Sequence, residues 1–407
     1  MASTQEKVEL LAPAGTPEKL EIAIRYGADA VYLGDRHFSL RNYAGNFTIE
    51  QIRDASDLAH KHEVKVYIAC NIYPRTEEAK ELGRYFDRLS DIEIDGIIVS
   101  DPGVLVMAKK IIPEIPIHLS TQANTTNLNA VKFWEDQGVA RINLARELTL
   151  EQIREIAANT HVEIEAFVHG AMCISYSGRC LLSAFLSGRD SNRGQCSHPC
   201  RWKYNVVEEF RPGEYMPVTE DDRGSYIFSS KDLCMIEHID KLIDAGIKSL
   251  KIEGRMKSIN YLATTVKAYR EAIDSYYENR GAYQIRQSWK NLLEAVNNRG
   301  FCTGFYFGTP GDEALNHTGV SSVSRRTFIA KALRLRPDGK VEVQVKNRIQ
   351  SGDRVEVLTP SGPAQTGTIM EITDMSGNRA EEAKPNSTVL LALSVDCREE
   401  GLIRKID

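Results

Sequence analysis

VELLAPAGTPEKLEIAIRYGADAVYLG, residues 8–34, holds one full beat of the pattern that decides the fold. An apolar run (VELLAPA, 8–14) is followed by Thr16 and Pro17, a helix cap and a proline suited to the first helical turn. A helical stretch then ends at Gly27, and a second apolar run, AVYLG (30–34), follows. The beat recurs at VKVYIAC (64–70), GIIVS (96–100), IPIHLS (115–120), RINLA (141–145), VEIEAFV (162–168) and SLKIEG (249–254), which makes eight short runs. Each is rich in Val, Ile and Leu and bounded by Gly, Asp or Pro, as buried parallel strands are. Between them, Thr48 with Gln51 and Thr149 with Gln152 fit the capping box, and Gly138 and Gly246 stand where helices give way to strands. Eight such units predict an α/β fold, a (β/α)8 TIM-like barrel. A doubly wound sheet would want a glycine-rich phosphate loop after the first strand, and LLAPAGTPEKL offers one glycine there.

One connection breaks the beat. Between VEIEAFV and SLKIEG lies an insertion at 170–248, and long connections in compact domains are usually functional. A helical stretch at 258–298 is expected to close the barrel domain, which spans 1–310. Beyond it, FIAKALRLR, KVEVQVK, RVEVLTP, TGTIMEI and TVLLALS alternate between turn sequences such as PDG and SGD. They predict a small antiparallel β-barrel domain at 318–407.

Bulk composition excludes several classes. Hydrophobic content of 42% with 26% charged residues is that of a globular enzyme, not a disordered chain. A net charge of -5 gives no global basic footprint, so a nucleic-acid partner would have to meet a local patch. No apolar run reaches the roughly 18 residues of a membrane span, and MASTQEKVEL lacks a secretory pattern. The expectation is a cytoplasmic protein without membrane contact, in which thiols stay reduced.

Against that background the insertion is unusual. HGAMCISYSGRC (169–180) and SNRGQCSHPC (191–200) hold Cys173, Cys180, Cys196 and Cys200 in the spacing C-x6-C-x15-C-x3-C. They lie among Ser, Gly, Arg and Asn, unlike inert core cysteines. The spacing leaves zinc and an iron–sulfur cluster both open. A His169–Cys173 nucleophilic dyad is a further alternative, although no third orienting residue suggests itself.

These residues carry a resemblance. EAFVHGAMCISYSGRCLLS, NRGQCSHPCRWKY, LLAPAG, FSLRNYAGNF, HLSTQANTTN, LARELTL, SSKDL and KIEGRMKS together resemble the U-class (unknown catalytic type) collagenase-like peptidase family, and within it the tRNA hydroxylation (TrhP) branch. The resemblance covers essentially the whole chain. It implies a 4Fe-4S cluster on Cys173, Cys180, Cys196 and Cys200, with zinc as the alternative. It also implies oxygen-independent hydroxylation of the tRNA wobble uridine at carbon five, with prephenate as co-substrate. The resemblance also implies a related family chain as a further partner.

Barrel enzymes place chemistry at the C-terminal ends of strands. Those ends offer Asn71, Asp101, Gln122 beside Ser120 and Thr121, Arg146, His169, Glu253 and Arg255, with Arg41 in the loop after the second strand. Arg41, Arg146 and Arg255, with Gln122, are the candidates for gripping a dianionic co-substrate, since guanidinium forks match carboxylates. His169, Glu253 and Asn71 are the candidates for proton handling and catalysis. For the anticodon loop of tRNA, GRDSNRGQCSHPCRWKY brings Arg189, Arg193, Arg201 and Lys203 beside Trp202, cations for phosphate with an aromatic for a base. A second basic run, SRRTFIAKALRLRPDGK, reads more simply as a solvated strand face. A peptidase is the rival reading and a non-catalytic RNA-binding protein a third. The peptidase is poorly served, with neither H-E-x-x-H nor G-x-S-x-G in the chain.

Overall fold

The computed structural model describes residues 7–35, 38–39, 45–173, 175–177, 179–202, 219–221, 224–226, 230–310 and 326–406. Eight parallel strands form a closed barrel: β1 (Glu9–Pro13), β2 (Ala30–Gly34), β3 (Lys65–Cys70), β4 (Gly96–Val99), β5 (Ile117–Leu119), β6 (Arg141–Asn143), β7 (Glu163–Ala171) and β8 (Ser249–Ile252). They pair in sequence order, and β8 closes the ring by pairing with both β1 and β7. Helices α1 (Pro17–Arg25), α2 (Ile49–His60), α3 (Ala79–Leu89), α4 (Pro102–Ile111), α5 (Leu128–Asp136) and α6 (Leu150–Ala158) follow the first six strands.

Local chemistry sets these boundaries. Thr16 accepts from the Lys19 amide at 3.3 Å with Pro17 behind it, and Thr48–Gln51 and Thr149–Gln152 close both halves of their capping boxes. Gly27, at φ +102, turns the chain from α1 toward β2 in a region that side chains avoid.

Alternation along each strand separates two cores. Leu10, Val31, Val66 and Ile97 face the helices, whereas Leu11, Tyr32, Tyr67 and Ile98 form a separate cluster inside the barrel. The interior also holds charge that the apolar reading of the runs did not anticipate. Arg141, almost fully buried, donates to Glu9 at 2.5 Å and to Glu163 at 2.7 Å, and Lys251 meets Glu165 at 2.6 Å. Buried ions are costly unless paired, and pairing is what the strand order achieves here.

The insertion leaves β7, forms the short helix α7 (Leu182–Ser187) and returns through a strand, Asp232–Cys234, antiparallel to β7. Then α8 (Ile239–Asp244) leads into β8. The closing stretch holds two helices, α9 (Ile259–Glu278) and α10 (Gln287–Glu294). Asn279 departs from helical geometry at φ -154, ψ 87, and its side chain caps the next turn by accepting from the Ala282 amide at 3.2 Å.

The second domain is an antiparallel six-stranded barrel, Arg326–Leu335, Val341–Val345, Arg354–Leu358, Gln365–Thr373, Thr388–Leu393 and Leu402–Ile406, closed by pairing of Arg354–Leu358 with Gln365–Thr373. Leu402–Ile406 was not among the expected segments. It sits against the barrel domain, where wholly buried Arg404 donates to Thr264 at 3.2 Å and pairs with Glu356 at 2.6 Å. Tyr26 donates across the same boundary to the Leu358 carbonyl at 2.9 Å. Among the described residues, no helix is long and apolar enough to cross a membrane.

Candidate active site

Two adjoining cavities open at the C-terminal ends of the barrel strands. The inner one, about 50 Å³, lies between the strand tips; the outer one, about 190 Å³, lies under the insertion. Thr121, Gln122, Arg146 and Glu253 line both, so the two spaces lie side by side.

Cys173, Cys180, Cys196 and Cys200 all line the outer cavity. Cys173 follows the end of β7, Cys180 precedes α7, and Cys196 and Cys200 flank a tight turn at Pro199. Hydroxyls hold this arrangement: Ser183 and Ser187 reach Ser197 at 3.0 and 2.7 Å, and Ser191 donates to the Cys180 carbonyl at 2.5 Å. Burial raises the pKa of the Cys173 thiol, and the nearby Cys180 and Cys196 raise it further. Among the described residues no three His, Cys, Asp or Glu side chains already stand closed around a metal-sized point. The four thiols thus share one cavity without forming a closed ligand set. As a donor set, four thiolates around one space fit either zinc or an iron–sulfur cluster.

The inner cavity gathers several of the expected residues. Asn71 donates to Ser120 at 3.3 Å and to Gln122 at 3.2 Å, forming an amide–hydroxyl network on one wall. Arg146 donates to the Ala171 carbonyl at 3.1 Å and lies 4.1 Å over the Phe167 ring. Glu253 accepts from Tyr32 at 3.3 Å, and buried Arg255 is held by Ser39 and Asn46. Gly170, at φ +111, permits this geometry, because a side chain there would strike the Glu253 carbonyl.

Other expected residues stand elsewhere. His169 lines neither cavity: its buried ring packs among Tyr261, Tyr269 and Phe301, and burial lowers its pKa to about 4. It is therefore a neutral packing group, which corrects its expected role in moving protons near neutral pH. Arg193 is not free for phosphate, being clamped on Glu78 at 2.5 and 2.9 Å and on the Tyr73 carbonyl at 3.0 Å. That clamp ties the insertion to the loop after β3. Asp101 caps α4, accepting from Gly103 at 2.8 Å. Arg189 donates to the Gln195 carbonyl at 3.0 Å, and Trp202 is 42% exposed near the insertion's end. Arg41 and Lys203, and the Arg201 side chain, lie outside the described residues. In the tail run, Arg334 and Arg336 share Glu342 on an open strand end, whereas Lys331 departs from the solvated-face reading, being buried and paired with Glu400.

Tyr32, His198 and Lys257 were missed among the cavity residues, and so were Asn143 and Lys251 of the inner cavity. For these last two the signal was available: each is a polar residue in a strand position alternating with core, as in R-I-N and L-K-I.

Fold and site together define a (β/α)8-barrel protein with a four-thiol cavity at its strand tips and a β-barrel appended. The chain belongs to peptidase family U32: the model of that family matches residues 15–316, and the model of its C-terminal domain matches 324–404. It is 40% identical to tRNA hydroxylation protein P1 of Bacillus subtilis, over 98% of this chain and 95% of that one. It is 38% identical to tRNA hydroxylation protein P of Escherichia coli, over 88% and 87% respectively. A relative named collagenase, from Porphyromonas gingivalis, is 32% identical over 89% and 88%.

Proposed function

We propose that this protein is a cytoplasmic tRNA-modifying enzyme that hydroxylates the wobble uridine without molecular oxygen, using prephenate as co-substrate and a 4Fe-4S cluster on Cys173, Cys180, Cys196 and Cys200. The observation that carries the reading is that the four-thiol cavity adjoins a polar pocket at the strand tips, with Thr121, Gln122, Arg146 and Glu253 lining both. Its relatives named for tRNA hydroxylation support the substrate class.

A cluster bound there would supply electron transfer or anchor the insertion. The chain's own residues divide the remaining work. Arg146 and Arg255 hold an anionic co-substrate, and the Asn71–Gln122–Ser120 network fixes its orientation. Glu253, at the junction of the cavities, is placed to hold a proton between co-substrate and base. Trp202 offers a stacking face to a uridine that an anticodon loop, already single-stranded, gives up at little cost.

The peptidase reading has less behind it. A histidine that would activate Cys173 is instead enclosed by aromatic rings. Mass spectrometry of tRNA nucleosides decides the matter. Purified, reduced protein with tRNA and prephenate should yield 5-hydroxyuridine. Unchanged tRNA, together with peptide cleavage abolished by Cys173→Ala, would replace this reading with the peptidase.

A further inference from the structure

Asn143 is the odd member of the inner cavity. It is 2% exposed and lines the pocket, yet neither its Oδ1 nor its Nδ2 has a partner among the described residues. A buried amide left without hydrogen bonds is rare, and it implies a group that the pocket is built to receive. Whichever way the amide is turned, it offers one donor and one acceptor side.

The neighbouring charges say which kind of group. Lys251 lines the same space, spends one of its three donors on Glu165 at 2.6 Å, and lies 4.6 Å over the Tyr32 ring. Arg146 presents a buried Nε without a partner among the described residues. Three cations, Arg146, Lys251 and Arg255, line the cavity against one carboxylate, Glu253. The inner space, about 50 Å³, compares with about 30 Å³ for one water in the liquid. It takes an end group, while the larger space beside the thiols takes the body.

We propose that Asn143, Lys251 and Arg146 form a subsite for the carboxylate end of a small organic acid that also carries a hydroxyl. The carboxylate meets the two cations and the amide donor, and the hydroxyl donates to the amide oxygen. This deepens the proposed function, resting on it for the choice of first probe, prephenate, but not for the existence of the subsite.

Calorimetric titration of the full chain with prephenate, malate and succinate tests it. Wild-type protein should bind at least one of the two hydroxy acids, malate more tightly than succinate. Asn143→Leu and the double variant Lys251→Met/Glu165→Gln, which strands no carboxylate, should each weaken binding at least tenfold. Thermal unfolding of ligand-free Asn143→Leu should show a midpoint no lower than wild type, which separates lost binding from lost fold. Wild-type binding of none of the three acids, or variants that bind as tightly as wild type, would overturn the subsite. Variants that lose acid binding while wild type leaves tRNA unmodified would keep the subsite and remove the hydroxylase reading.

Discussion

Replacing Arg193 with Met should loosen the thiol-bearing insertion while leaving the barrel folded. Arg193 makes two bonds to Glu78 and one to the Tyr73 carbonyl, and both ion-pair partners are about one-quarter exposed. Charge-assisted bonds in such a setting, discounted for solvent, are worth about 2 kcal/mol in total. That equals roughly a 30-fold rise in the population of the open insertion. Hydrogen exchange of amides in 179–200 should therefore accelerate about 30-fold, with barrel strand amides unchanged. The same tie should weaken in acid. The Arg193 bonds hold the Glu78 carboxyl down to about 2 from an ordinary 4.5. A depressed carboxyl stabilises above its unfolded value, so the clamp is whole above pH 4.5 and is lost as pH falls through about 2. Exchange in 179–200 that matches wild type in Arg193→Met would refute the clamp.

Other outcomes follow from the same structure. Removing the unpartnered amide in Asn143→Leu should raise ligand-free stability by about 1–3 kcal/mol, read by chemical denaturation. Burial lowers the His169 pKa from 6.5 to about 4, so stability should fall as pH drops from 6.5 to 4, by about 3 kcal/mol in all, and stay flat above 6.5. His169→Phe should remove that slope and leave the pH profile of tRNA modification unchanged; a shifted profile would return His169 to the chemistry. Arg404→Met should cost about 2–3 kcal/mol, because it leaves Glu356 with only the longer Arg326 pair at 3.6 Å, and Glu356→Gln in the same chain should recover part of the loss.

The barrel was legible because each βα unit carries its own punctuation. Thr16–Pro17, Thr48–Gln51 and Thr149–Gln152 act within a few residues, and closure follows from repeating the unit. The thiol cavity was legible through clustering of one residue type in one long connection. What stayed hidden depends on partners far along the chain. Arg193 looked like a phosphate ligand until Glu78, 115 residues earlier, was found beside it. His169 looked poised for proton transfer until α9 brought Tyr261 and Tyr269 over its ring. The alternation that turns Asn143 and Lys251 away from the helices is local, but that the two face one cavity depends on the closing of the barrel.

The most direct test is iron and acid-labile sulfide content in anaerobically purified protein, with absorption spectra for wild type and for Cys196→Ser. If the four thiols hold one cluster at the strand tips, wild type carries about four irons per chain, and the serine variant loses most of them while remaining folded. A colourless wild-type protein with a single zinc, or a Cys196→Ser variant that keeps its full iron, would contradict the account.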